Sequence, residues 1–123
     1  MKHVIKVMPF TYNKIAEGSK KLDVRLFDKQ IQQIRLNDII EYVNVETDVK
    51  ILCVVRGIAI FENFDMLIDT IPPQLVGYDD KEEIRVRVNR AYTKEQQKDC
   101  FACGLFISEL DTSFFDKFKY LER

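Results

Sequence analysis

The sequence predicts a mixed α+β domain, a small and partly open barrel of about five to six mostly antiparallel strands with helices inserted between them. Three observations point there. Short stretches such as "KLDVRLF" and "DVKILCVVRGIAIF" alternate or run apolar with the period of strands. Proline, glycine and capping patterns punctuate helix-like segments between those stretches. Finally, 123 residues, 46% of them hydrophobic, suffice for one domain with one real core, so residues 1–123 read as a single unit.

The elements follow in order. "HVIKVM" (3–8) alternates loosely and reads as a first strand. "PFTYNKIAEG" (9–18) lies between Pro9 and Gly18, the punctuation of a short helix, with Phe10, Tyr12 and Ile15 expected inward. In "KLDVRLF" (21–27), Leu22, Val24 and Leu26 alternate with Asp23, Arg25 and Phe27, giving a second strand. "DKQIQQIRLND" (28–38) is a turn-like or helical connection with Ile31 and Ile34 as its apolar points. "IIEYVNV" (39–45) and "DVKILCVVRGIAIF" (48–61) are strands three and four, the latter bent at Gly57. "ENFDMLIDTI" (62–71) spaces Phe64, Met66, Leu67 and Ile71 as a helix does and stops before Pro72 and Pro73. "PPQLVGY" is a turn or short helix.

"DKEEIRVRVNRAY" (80–92) reads two ways. Ile84, Val86 and Val88 alternate as in a strand, while Asp80 and Glu83 mark a helix N-terminus; the helix is preferred. Thr93 with Gln96 forms a capping-box pattern opening the helix "TKEQQKD". "FACGLFISELD" is the last strand, and "TSFFDKFKYLER" (112–123) is expected to form a short C-terminal helix.

Composition excludes several classes of function. The 19 basic and 20 acidic residues leave a formal charge of −1, so the chain lacks the basic excess of a protein that grips long stretches of duplex. Any nucleic-acid contact is expected to be local, and duplex DNA is not an expected partner. No apolar run approaches the ~20 residues that span a bilayer, and "MKHVIKVMPF" reads as a strand rather than a signal peptide, which predicts a cytoplasmic protein without membrane contact. The three cysteines, Cys53, Cys100 and Cys103, do not form a disulfide framework. "CFAC" has redox spacing, but it follows a helix and opens a strand, the reverse of the order that lowers a thiol pKa. Zinc would need two further ligands from Cys53 and His3, so buried thiols in a core strand are expected, with no metal and no cofactor. The serines lack a nucleophile-elbow context, and there is no Gly-rich phosphate loop.

The charge density of "EGSKKLDVRLFD" (17–28) singles it out. Gly18, Lys20, Asp23 and Arg25 fit G-x-K-x-x-E-x-R, the signature of the ASCH domain, with Asp in place of Glu. "MPFTYNKIAEGSKKLDVRLFDKQIQQIRLNDIIEY" resembles that family's opening throughout, and "FENFDMLI" and "YTKEQQKDCFACGLFISEL" resemble its middle and closing segments. The resemblance implies a PUA-like pseudo-β-barrel with a cleft associated with RNA. Family members are regarded as RNA-binding modules, and some cleave the amide of acetylated cytidine derivatives or act on RNA. Members with that amidohydrolase activity carry Thr where this chain has Asp23, and the aspartate is one methylene shorter than the signature's glutamate.

Within this frame Arg25 is expected to hold an anionic group in a bidentate fork, and Asp23 to accept from a base's exocyclic amine or to orient a lysine. The lysine is either Lys20, which the family register favours if the turn at Gly18 runs through it, or Lys21, which plain strand parity favours. Tyr92 and Glu95 flank the start of a helix, where an aromatic can stack on a base and a carboxylate can act as a second acid or base; the alternative is a core tyrosine and a first-turn charge. Phe10 either lines the cleft or sits in the core. Without the family pattern, the charged strand would read as a salt-bridged, solvated sheet face. Three functions follow: a binder of RNA or of a nucleoside or nucleotide; a hydrolase of a modified nucleoside or of RNA, with Lys20, Asp23 and Glu95 as its catalytic set; or a protein-interaction domain using 112–123.

Overall fold

In the computed structural model, residues 1–110 are described. The helix expected over 112–123, and the protein-binding surface offered there, lie outside them. Five strands form one sheet: β1 (Lys2–Val7), β2 (Leu22–Leu26), β3 (Ile39–Asn44), β4 (Lys50–Phe61) and β5 (Ala102–Glu109). They run in the order β1-β3-β4-β5-β2. Only the β1–β3 pair is parallel; the other three are antiparallel. The sheet is a half-barrel whose edges are β1 and β2, an α+β architecture consistent with a PUA-like pseudo-barrel. Its bend falls where expected, at an irregularity between Val55 and Gly57 in the long strand β4.

The helices are α1 (Pro9–Ala16), α2 (Phe64–Thr70), α3 (Pro73–Val76), α4 (Lys81–Ala91) and α5 (Lys94–Lys98), with a 3-10 turn at Ile31–Gln33. Three of them, α2, α4 and α5, begin where side chains satisfy orphan backbone donors, while α1 and α3 open at proline. Asn63 accepts from the Met66 N–H, Asp80 accepts from the Glu82 N–H, and Thr93 with Gln96 makes the complete capping box. The ambiguous segment at 80–92 is thus helical, and burial of Ile84 and Val88 with Val86 outside gives its apolar stripe.

Both faces of the sheet are covered. Cys103, Leu105 and Ile107 of β5 pack in one cluster with Ile5, Ile40, Tyr42 and Val55, while Ala102 packs in a second with Leu22, Leu26, Phe64, Leu67, Ile84 and Val88. Each fully buried aliphatic side chain of these clusters contributes about 1.5–3 kcal/mol. Cys53 and Cys103 are buried thiols on strands, and burial pushes both up to about 12, so neither is a reactive thiolate at neutral pH. Cys100 is half-buried just before β5.

One expectation is corrected. Phe10, expected in the interior with Ile15, is 43% exposed. The eight-residue α1 buries only Ile15 fully, with Tyr12 partly covered against the core.

Candidate functional site

An edge strand needs a partner for its unpaired backbone groups or a cover, and the half-barrel leaves two edges facing across a gap. That gap is a cavity of about 390 Å³. β1 lines it with Lys6 and Val7, α1 with Thr11, β2 and the turn before it with Lys20, Asp23, Val24 and Arg25, and α4 with Ile84, Arg87, Val88 and Arg90; Tyr78 and Tyr92 complete the wall. Four of the residues singled out in the sequence, Lys20, Asp23, Arg25 and Tyr92, therefore border one cavity.

The turn that places Lys20 begins at Gly18, whose φ of +82° lies in the left-handed region. The Lys20 N–H then bonds back to the Lys14 carbonyl at 3.0 Å, so strand alternation starts only at Leu22. Lys20 turns inward and Lys21 outward for that reason. Lys20 retains 9% of its surface, and no carboxylate among the described residues comes within ion-pair contact of it. Burial lowers its pKa; Asp23 opposes that shift, and Arg25, Lys14 and Arg87 add to it.

Asp23 is 2% exposed, on the face of β2 opposite Leu22 and Leu26. One carboxylate oxygen, Oδ2, accepts from the Tyr42 hydroxyl at 2.7 Å and from Arg25 Nε at 2.8 Å. Burial pushes this carboxyl up, but Arg25, Lys20 and the two hydrogen bonds outweigh it, and the net shift is below the ordinary value. The same contacts raise Arg25 against the effect of its burial, so the guanidinium stays charged. The other oxygen, Oδ1, accepts no hydrogen bond from the described residues and remains open to a ligand. Tyr42 itself is fully buried on β3. Its signal in the sequence was slight: a tyrosine inside an apolar strand, whose hydroxyl must find a partner.

Tyr92 ends α4 and stacks on Phe64, ring centroids 5.7 Å apart, so it belongs both to the core and to the cavity wall. The remaining sequence candidates lie elsewhere. Gly18 and Lys21 border a second cavity of about 430 Å³, shared with Leu75, Phe106 and Ile107. Lys20 touches that cavity too, but three of the charges that act on its ammonium, Asp23, Arg25 and Arg87, line the first. Glu95 is exposed in the first turn of α5 and borders neither cavity. Phe10 stands beside the first cavity, stacked on Tyr78 at 6.2 Å with the Arg87 guanidinium 4.3 Å from its ring centroid. Lys6, Arg87 and Arg90 escaped sequence reasoning because they come from distant segments and meet only in the fold. Among the described residues no cluster of His, Cys, Asp and Glu could hold a metal ion.

Set against known protein families the sequence matches none, and a search of curated proteins finds no match either. Solved structures do match. The hypothetical protein PH0355 superposes with a TM-score of 0.78 at 25% identity, covering 89% of this chain and 100% of that one. Protein PF0455 from Pyrococcus furiosus gives 0.72 at 21% identity over 90% and 99%. An ASCH domain from Lactobacillus crispatus gives 0.60 at 12% identity over 88% and 79%. The fold that brings Lys20, Asp23 and Arg25 to the gap between β1 and β2 is thus the ASCH-domain fold, the one that the pattern of Gly18, Lys20, Asp23 and Arg25 resembles.

Proposed function

We propose that the cleft binds one unstacked nucleoside or nucleotide unit, free or within single-stranded RNA. The observation that carries this reading is Lys20, a buried lysine that faces the cavity and forms no ion pair among the described residues. A largely buried charge that makes no direct ion pair costs stability, and a ligand that supplies the contact explains its retention. Tyr92 and Val24 offer apolar surface to the faces of a base, with the buried Ile84 and Val88 behind them. Asp23 Oδ1 accepts from an exocyclic amine, while Lys20 donates to a carbonyl or an anion. The net charge of −1 suits such local recognition and disfavours duplex tracking. A cytoplasmic location goes with three free cysteines, and no helix among the described residues is long and apolar enough to cross a membrane.

The lowered pKa of Lys20 favours a second reading, hydrolysis of an amide on a modified nucleoside of the acetylcytidine type, or of RNA. Lys20 would be the base or nucleophile and Asp23 its orienting partner. Glu95 has no place in it, since it borders neither cavity.

Titration of nucleosides, nucleotides, short single-stranded RNA and duplex DNA into the protein and into Lys20→Ala tests both readings. Binding of a single-stranded or monomeric ligand that weakens roughly 10- to 100-fold in Lys20→Ala supports the first. Tight duplex binding with a steep salt slope, or no binding by any of these ligands, overturns it. Turnover of acetylcytidine that Lys20→Ala abolishes, with binding much less affected, selects the hydrolase.

A further inference from the structure

Five cationic side chains, Lys6, Lys20, Arg25, Arg87 and Arg90, line the cleft against a single carboxylate, Asp23. That excess is concentrated in a chain whose formal charge is −1. It also divides by depth. Arg25 is engaged with Asp23, and Lys20 is buried beside them. Lys6, Arg87 and Arg90 are exposed at the mouth, and none of them makes an ion pair among the described residues.

Arg87 is held in place. Its guanidinium lies over the Phe10 ring at 4.3 Å, and that ring stacks on Tyr78. Lys14 Nζ sits 4.9 Å from the Phe10 centroid and 5.2 Å from that of Tyr78, and it donates to the Gly77 carbonyl at 2.6 Å. A guanidinium resting on an aromatic face loses less freedom on binding and keeps its N–H edge for an acceptor. Arg90 follows one turn on, in the last turn of α4.

Resting on the nucleoside reading above, we infer that the ligand is a free nucleoside monophosphate, its base inside against Lys20 and Asp23 and its phosphate on the rim formed by Lys6, Arg87 and Arg90. A cavity of about 390 Å³ is near the low end for small-molecule sites, of order 300–1,000 Å³, and suits one nucleotide. A phosphate is strongly hydrated and gains most from flexible or fork-like cations that need not be desolvated fully, which the mouth supplies and the interior does not.

The experiment is calorimetric titration of the four ribonucleosides, their 5′- and 3′-monophosphates, and short single-stranded RNA. It is run on the protein, Arg87→Ala/Arg90→Ala, the milder Arg87→Gln, Lys20→Ala and the control Arg85→Ala, whose guanidinium pairs with Asp65 and Glu82 away from the cleft. At least one monophosphate is expected to bind roughly 10- to 100-fold tighter than its nucleoside. The double variant should erase that preference, Arg87→Gln should reduce it, and Arg85→Ala should keep it. Lys20→Ala should weaken nucleoside and nucleotide alike. Equal binding of nucleoside and monophosphate overturns the rim assignment and leaves the nucleoside reading standing. RNA that binds while every monophosphate fails overturns the free-nucleotide inference alone. A preference erased by Lys20→Ala but kept in the double variant places the phosphate inside, against the inference. No binding by any of these ligands overturns both.

Discussion

Asp23 has a single oxygen that answers two donors, and the two donors do unequal work. Arg25 supplies charge as well as a hydrogen bond, whereas the Tyr42 hydroxyl supplies a hydrogen bond alone. Tyr42→Phe keeps the ring in the core and removes one bond to a charged group, for which about 1.5–3 kcal/mol is expected. Arg25→Ala leaves the buried carboxylate without its cation, and about 3–5 kcal/mol is expected. Urea denaturation of the two variants checks the order. A larger loss in Tyr42→Phe, or none in either, would mean that Asp23 is held by something other than this pair. The same reasoning makes Arg25→Ala a poor probe of ligand binding, because its effect on the fold comes first. Lys20 makes no direct ion pair among the described residues and acts on Asp23 only through space, so its removal disturbs the fold less and reports better on the ligand.

Among the elements, β2 was the hardest to read from sequence, for a physical reason. Alternation separates Leu22, Val24 and Leu26 from Asp23, Arg25 and Phe27, but it does not say which face meets water. Charge ordinarily marks the solvated face, yet Asp23 is 2% exposed here because the curve of the half-barrel covers it and Tyr42 reaches it from β3. Two helix starts were legible, since caps act within four residues; the Asp80 and Thr93 starts needed nothing from the rest of the fold, whereas the Asn63 cap of α2 was not read from the sequence. The rim of Lys6, Arg87 and Arg90 needed all of it. Phe10 was misread as interior because a short helix that opens at Pro9 buries only one position fully, Ile15, and leaves Phe10 exposed. The link between α1 and β2 can be tested directly. A Cβ at Gly18 meets nothing within 4 Å, so the cost of Gly18→Ala lies in its φ of +82° alone, about 1–2 kcal/mol. Gly104→Ala is the contrast: its Cβ would meet Leu22 Cδ1 at 2.8 Å, and overpacking there costs about 1–3 kcal/mol. Ligand affinity should fall in Gly18→Ala through the displaced Lys20 turn. If thermal melts show Gly18→Ala as stable as the parent, the turn is not what positions Lys20.

For the molecule as a whole, two sets of buried or paired charges bend stability with pH in opposite ways. Asp23 and Asp38 both titrate below their ordinary value in the fold, Asp38 at about 2 through hydrogen bonds from His3 Nε2 (2.7 Å) and from the Arg35 N–H (2.9 Å). Depressed carboxylates stabilise the fold in full above their unfolded value near pH 4, and that contribution is lost as pH falls through the folded values. Urea midpoints should therefore drop between about pH 4 and 2, and Asp38→Asn should flatten that limb. Lys20 works the other way. Its folded pKa lies below its ordinary 10.5, so below that pH the fold bears the cost of burying the ammonium or of giving up its proton, a cost the hydrated side chain of the unfolded chain does not meet. Between the folded value and 10.5 the unfolded chain binds the extra proton, and stability rises with pH. Lys20→Met removes the buried charge and keeps most of the volume. It should be more stable than the parent at pH 7, and that advantage should shrink as pH approaches 10.5. The difference between the two proteins isolates Lys20 from the other lysines, which titrate in both. A variant less stable than the parent at pH 7, or an advantage that grows with pH, would show that Lys20 is satisfied within the fold and is not held there for a ligand.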